Sequence, residues 1–373
     1  MAATGASLGL LRSNRAELAT RIADTFQASD VVLTDSGTSA LVLALRATVP
    51  PEAVVAMPAY ACIDIIAAAV AANVRVSLYD VDPETLSPRL DSVRANLRRG
   101  ARALVAAPLY GYPVDMPALI AVAAEHGVPV IEDAAQAAGA TLDGRLLGTF
   151  GHLSVLSFGR GKGMTGGSGG ALLLREPSLV MKASAMRAGM REPSRGFRDV
   201  GVLSAQWVLG RPVLYVIPAS IPALQLGEMI YKPPREPAGL SAAACRVVGR
   251  ALKRNDSEVR ARRMRAAELT SAAHAGRRFV PVREVPGGLP GYLRFAARDA
   301  TGVARPEARL AALRGYPIAL DEHVETRRLL VGDASALDGA RELRDRLFTL
   351  PTHSLVSDAD SVRLRDWLAG GQR

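Results

Sequence analysis

Three short segments of the chain carry residue types that can hold an anionic compound with a ring nitrogen. In Ser157-Phe-Gly-Arg-Gly-Lys162-Gly-Met-Thr-Gly-Gly-Ser-Gly-Gly170, one lysine stands among seven glycines. Glycines let a backbone pass close to a bound group, and a lysine there is a candidate Schiff-base amine. The segment is not a phosphate-binding P-loop, because Lys162 is followed by glycine and a strand follows instead of a helix. Ser36-Gly-Thr-Ser39 sits at a helix start, where free amides and the helix dipole favour a phosphate. Small polar residues at that place also serve as ordinary caps. Glu132-Asp133-Ala-Ala-Gln136 follows an apolar run. A carboxylate there can hold a protonated ring nitrogen, and the amide three residues on can reach a ring oxygen; a capping aspartate is the competing reading.

Elements that bring three such loops together are legible in the first 175 residues. Short β-branched runs begin at Val31, Val54, Val74, Ala103, Val128, Leu153 and Ala171, and alanine-rich helical stretches separate the first five. This rhythm predicts an α/β fold with a mostly parallel seven-stranded sheet between helices. In such sheets ligands gather at the C-terminal strand ends. After Arg175 the texture changes to proline and arginine punctuation. A helix from Ser241 to about Ala273, with Ala244, Val247, Val248, Ala251 and Leu252 at helical spacing, opens a smaller α+β region. The expected division is a large domain over 1–237 and a C-terminal domain over 238–373.

Composition removes several function classes. The chain has 373 residues and a formal charge of +10, but only four of its 46 cations are lysine: Lys162, Lys182, Lys232 and Lys253. Such arginine dominance reads as compositional bias. The densest cluster, Arg260-Ala-Arg-Arg-Met-Arg265, lies in a helical pattern and reads as a solvated face rather than a nucleic-acid site. Aromatics that would stack on single strands are 5% of residues. Two cysteines make no disulfide framework, and the N-terminus has no cationic region of a signal peptide. A cytoplasmic protein is the expectation. The apolar stretch 200–231 has a longest uncharged run, Pro212 to Gly227, of 16 residues, short of the roughly 20 that span a bilayer. It reads as a packing segment, with peripheral membrane contact as the alternative.

Taken in order, Gly37-Thr-Ser-Ala-Leu41, Asp133-Ala-Ala-Gln136, Ser157-Phe-x-x-x-Lys162 with Gly169-Gly170, and Leu350-Pro-Thr-His353 resemble the DegT/DnrJ/EryC1/StrS sugar aminotransferases, which use pyridoxal 5'-phosphate on the fold type I scaffold. The resemblance implies that Lys162 binds the cofactor aldehyde and moves the proton, and that Asp133 holds the pyridinium nitrogen. It implies Gln136 at the ring hydroxyl, and Ser157 with Gly37, Thr38 and Ser39 at the phosphate. It also implies a homodimer, an amino-acid donor (glutamate) and a nucleotide-linked keto-sugar acceptor. A dehydratase branch has histidine at the lysine position, so Lys162 favours transamination.

Three departures from the family pattern stand out. The aromatic residue that the family stacks on the cofactor is replaced by Cys62 in Pro58-Ala-Tyr-Ala-Cys62; either Tyr60, two residues before it, takes over as a cofactor-binding ring, or the cofactor packs on a smaller face with Cys62 against it, the second being the expectation. The usual His-Pro-Thr before the lysine is Gly159-Arg160-Gly161. The partner-subunit loop reads Glu236-Pro-Ala-Gly-Leu240 and lacks its usual asparagine and arginine, for which Arg160 or Arg235 are candidate substitutes. These changes keep open a second reading, a cofactor-binding regulatory or scaffold protein. No spacing of His, Cys and carboxylates predicts a metal site. His126 and His274 read as surface residues, and His152 and His353 lie near the motif segments.

Overall fold

The computed structural model describes residues 2–194, 196–209, 229–333 and 336–370. Seven strands form the central sheet: β1 (Asp30–Thr34), β2 (Val54–Pro58), β3 (Arg75–Tyr79), β4 (Ala103–Ala106), β5 (Val130–Asp133), β6 (Leu153–Ser157) and β7 (Gly170–Leu174). Their spatial order is β1-β7-β6-β5-β4-β2-β3. β7 is antiparallel to both of its neighbours, and the remaining pairings are parallel. The expected α/β architecture is therefore present. Strands covered on both faces need apolar residues at nearly every position, and Val55, Ala56, Met57, Leu104, Val105, Val130 and Ile131 are fully buried.

The covering helices are α1 (Ala2–Phe26), α2 (Gly37–Thr48), α3 (Asp64–Ala72), α4 (Leu90–Arg98), α5 (Met116–Glu125), α6 (Pro177–Ala188) and α7 (Phe197–Leu209). In α1, Leu18, Ile22 and Phe26 recur every four residues and are buried, so one stripe faces the core. α2 begins because Ser36 caps it: its hydroxyl accepts the Ser39 amide at 3.0 Å. α5 begins in the same way at Asp115, which accepts the Ala118 amide at 3.0 Å.

The 35-residue helix α8 (Ala242–Gly276) links two cores. Its first half sets Ala244, Cys245 and Val248 against the large core. Its second half sets Ala266, Leu269 and Ala273 against a C-terminal core with Phe279, Phe295, Phe348 and Leu364. That core lies on a four-stranded antiparallel sheet of β8 (Phe279–Pro281), β9 (Arg294–Asp299), β10 (Leu313–Arg314) and β11 (Leu347–Pro351), in the order β8-β9-β11-β10. Helices α9 (Val324–Leu329), α10 (Asp338–Arg346) and α11 (Asp358–Leu368) complete this region.

In the arginine cluster on α8, Arg260 is exposed as its pattern predicts, but the other three do not form a solvated face. Arg262 is buried. Arg263 donates to the carbonyls of Pro290 and Gly139, and Arg265 to those of Thr352, His353 and Val356. The guanidinium forks satisfy loop carbonyls where the two cores meet, a use for which periodicity gives no sign. Of the apolar stretch 200–231, residues 210–228 lie outside the described residues. No described helix is long and apolar enough to cross a membrane.

Candidate active site

The C-terminal ends of β1, β2, β4, β5 and β6 open on one cavity of about 540 Å³. At the β1 end, the start of α2 brings Ser36, Gly37 and Thr38 to its wall, where first-turn amides have no partner inside the helix. Gly37 has to be glycine: a Cβ there would lie 2.7 Å from Cβ of Ser157, the last residue of β6. The contact sets helix start and strand end side by side. Capping and anion-binding readings of Ser36 are compatible, since the cap fixes the turn that the wall is made of.

At the β5 end, alternation along the strand sends Glu132 and Asp133 to opposite faces. Glu132 is fully buried and accepts the amides of Gly148, Phe150 and Gly151 at 2.5, 2.9 and 3.1 Å and the Ser154 hydroxyl at 3.1 Å. Arg175 completes the cluster through Ser154 and the Gly151 carbonyl. Asp133, half-buried, faces the cavity and accepts the Ala135 amide at 3.2 Å. Burial pushes its carboxyl above the usual range, and the nearby Lys162 ammonium and the Ala135 amide oppose that rise. A bound cation is what this carboxylate would gain from most.

After β6 the chain turns at once. The Lys162 amide donates to the Gly159 carbonyl at 3.3 Å, and Gly161 takes φ +71°, a value that favours glycine. Phe158 and Gly169 pair across the loop base at 2.8 Å, and Gly166 returns to the Phe158 carbonyl at 2.7 Å. Lys162 and Arg160 both line the cavity from this turn.

The opposite wall contains Cys62, Asp64 and Gln136. Burial first, then the Asp64 carboxylate, pushes the Cys62 thiol up to about 12, with Lys162 opposing. The Gln136 oxygen accepts the Tyr110 amide at 3.2 Å, and its NH2 donates to the Tyr316 hydroxyl at 2.5 Å.

Of the residues singled out in the sequence, Gly37, Thr38, Cys62, Asp133, Gln136, Ser157 and Lys162 therefore meet at one cavity. Ser39 and Tyr60 do not line it. The Ser39 hydroxyl is taken by Asp35 at 2.6 Å. Tyr60 is fully buried behind the wall, its hydroxyl accepting the Tyr316 amide at 2.7 Å and its ring 5.6 Å from that of Tyr316. Residue spacing gave no reason to single out Asp35, Asp64 or Tyr316. Asp35 and Asp64 adjoin residues that were singled out, but Tyr316 lies 180 positions from Gln136 and no local signal announces it. Within this chain the 236–240 loop meets the edge of the cavity: the Ala238 carbonyl accepts the Asp35 amide at 2.8 Å, and Glu236 pairs with Arg46 at 3.0 Å.

The histidines do not join the cavity. His152 accepts the Val130 amide at 3.1 Å, and His126 and His274 are exposed. His353 lies between the cores; burial, then Arg294 and Arg262, lower its pKa to about 4. Among the described residues no group of three or more His, Cys, Asp or Glu can hold a metal ion.

Residues 8–201 match the model of the DegT/DnrJ/EryC1/StrS aminotransferase family. The L-glutamine:2-deoxy-scyllo-inosose aminotransferase of Streptomyces kanamyceticus is 34% identical over 182 residues, 48% of this chain and 43% of that protein. The UDP-N-acetyl-3-dehydro-alpha-D-glucosamine 3-aminotransferase of Acidithiobacillus ferrooxidans is 34% identical over 154 residues, 41% of this chain and 42% of that protein. The matched stretch thus spans less than half the length of either relative. A DegT/DnrJ/EryC1/StrS aminotransferase structure from Brucella abortus superposes with a TM-score of 0.76 at 18% identity, covering 96% of this chain and 90% of that one. An E. coli GDP-4-keto-6-deoxy-D-mannose-3-dehydratase with bound hydrated pyridoxal phosphate gives 0.75 at 15% identity, covering 95% and 91%. The fold is therefore that of the fold type I pyridoxal-phosphate enzymes, and both reaction branches use it.

Proposed function

The chain belongs to the DegT/DnrJ/EryC1/StrS aminotransferase family, and on that premise we propose that it is a pyridoxal-phosphate-dependent aminotransferase acting on a ring ketone of a sugar. The observation that carries this reading is the meeting of Lys162, Asp133 and the Ser36–Thr38 helix start on one cavity. The residues present fit the cofactor. A carboxylate at the cavity whose burial disfavours its charge suits a pyridinium N–H, a helix start with Ser36, Thr38 and Ser157 suits a phosphate, and a loop lysine suits an aldehyde.

When bound, pyridoxal phosphate supplies an aldehyde for amine exchange and a ring that withdraws electrons from the carbon losing its proton. Asp133 keeps the ring nitrogen protonated. Lys162 would provide the primary amine that holds the aldehyde, and its Nζ, once free, would accept and return the proton at the donor carbon. Lysine rather than histidine at this position supports transamination over dehydration. Gln136, already held by Tyr110 and Tyr316, lines the cavity and would meet the ring oxygen.

We extend the proposal to a homodimer, to glutamate or glutamine as donor, and to a nucleotide-linked keto-sugar as acceptor. The relatives support a keto-sugar or keto-cyclitol acceptor; the nucleotide linkage rests on the family resemblance. The test is the half-reaction. Addition of glutamate or glutamine to the purified holoenzyme is expected to bleach the visible absorbance of bound cofactor within seconds to minutes. A holoenzyme whose spectrum no amino donor changes would instead support the cofactor-binding regulatory reading, which the Cys62 and Glu236 departures motivate.

A further inference from the structure

The cavity has an unassigned cation. Arg160 stands at the second position of the Gly159–Lys162 turn, lines the cavity beside Lys162, and is exposed toward it. Among the described residues no hydrogen bond or ion pair engages its guanidinium. This sets it apart from Arg263 and Arg265 of α8 and from Arg175, whose forks are taken by loop carbonyls. Three carboxylates share the wall, Asp35, Asp64 and Asp133, and two of them are engaged by neighbouring groups. Asp35 is held by the Ser39 hydroxyl and the Ala238 amide, and Asp133 by the Ala135 amide. Gly159 and Gly161 flank Arg160, and the positive φ of Gly161 fixes the turn that aims both cations at one space.

We propose that Arg160 binds the α-carboxylate of the amino donor. This deepens the aminotransferase reading and rests on it. Two anionic groups enter such a site, a phosphate and a carboxylate. The phosphate end already has hydroxyls and helix amides at Ser36, Thr38 and Ser157. The donor's carboxylate sits on the same carbon as the amine that meets Lys162 chemistry, and so belongs near the cation two residues away. A guanidinium fork matches a carboxylate with two parallel hydrogen bonds.

Glutarate, a dicarboxylate without an amine, binds without reacting and serves as the probe. In the wild-type holoenzyme glutarate titration is expected to shift the cofactor absorbance saturably. Arg160→Gln is expected to weaken glutarate binding by about tenfold or more, to raise the KM for the donor by a similar factor, and to leave pyridoxal phosphate affinity within about threefold. Arg160→Lys is expected to recover part of the glutarate affinity. If Arg160→Gln instead releases pyridoxal phosphate while glutarate binding persists, the guanidinium holds the phosphate and the proposal is overturned. Unchanged affinities for both also overturn it, as does failure of the wild-type holoenzyme to bind glutarate. Wild-type protein that forms no cofactor band overturns the aminotransferase reading itself, so the two failures are distinguishable.

Discussion

The Gln136 side chain donates to the Tyr316 hydroxyl at 2.5 Å, joining the wall of the cavity to the C-terminal region of the chain. Tyr316 also donates its amide to the Tyr60 hydroxyl, and its ring lies 5.8 Å from that of Tyr110. The amide that sequence reasoning assigns to the cofactor is thus already oriented by a residue from the far end of the chain. Burial raises the pKa of all three tyrosines, so they are neutral across the working pH range.

Tyr316→Phe removes one hydrogen bond and keeps the ring. The expected cost is about 1 kcal/mol of stability, read as a lower midpoint in urea unfolding. Cofactor affinity is expected to stay within about twofold, because the freed Gln136 amide still lines the cavity. A tenfold loss of cofactor with unchanged stability would show that the hydroxyl binds the cofactor directly.

Glu132 tests the division of labour on β5. With three amides and a hydroxyl pointed at it in a fully buried place, Glu132→Ala is expected to cost about 3 kcal/mol or more. Asp133→Ala removes a half-buried carboxylate at the cavity and is expected to leave the unfolding midpoint nearly unchanged while weakening cofactor retention. Chemical denaturation of both variants checks the contrast. Equal destabilisation by the two substitutions would contradict it.

His353 predicts a pH dependence. Its folded pKa of about 4 lies below the ordinary value of 6.5. As pH falls, the unfolded chain therefore binds this proton first. The contribution is intact above about pH 6.5, declines through the interval, and is lost near pH 4, by at most about 3 kcal/mol. His353→Gln should flatten this part of the stability profile between pH 7 and 4.5. A variant whose profile keeps the wild-type slope would show that other groups produce it.

The sheet and the cavity were legible for one physical reason. Parallel strands buried on both faces read as short apolar runs, and the loops at their ends contain glycine, hydroxyls and carboxylates that the runs do not. Lys162 stood out because arginine, which stays protonated, replaces lysine almost everywhere else. What sequence could not show depends on long-range contact. The Leu18–Ile22–Phe26 stripe has plain helical spacing, but what it packs against is set only by the fold. Arg262 and Arg265 looked like surface charge because their partners are loop carbonyls about 90 positions away or a core that only the fold assembles. Tyr60 has the aromatic type the site would want, yet the bend after β2 sets it behind the wall and leaves Cys62 at the cavity.

Lys162 is one lysine of four, and borohydride reduction followed by peptide mapping separates it from the other three as the residue that holds the cofactor. Reduction of the purified holoenzyme is expected to fix pyridoxal phosphate on the peptide containing Lys162, and Lys162→Ala is expected to lose both the label and the visible band. Stoichiometric label on Lys182, Lys232 or Lys253, or a band that survives Lys162→Ala, would place the cofactor on another lysine.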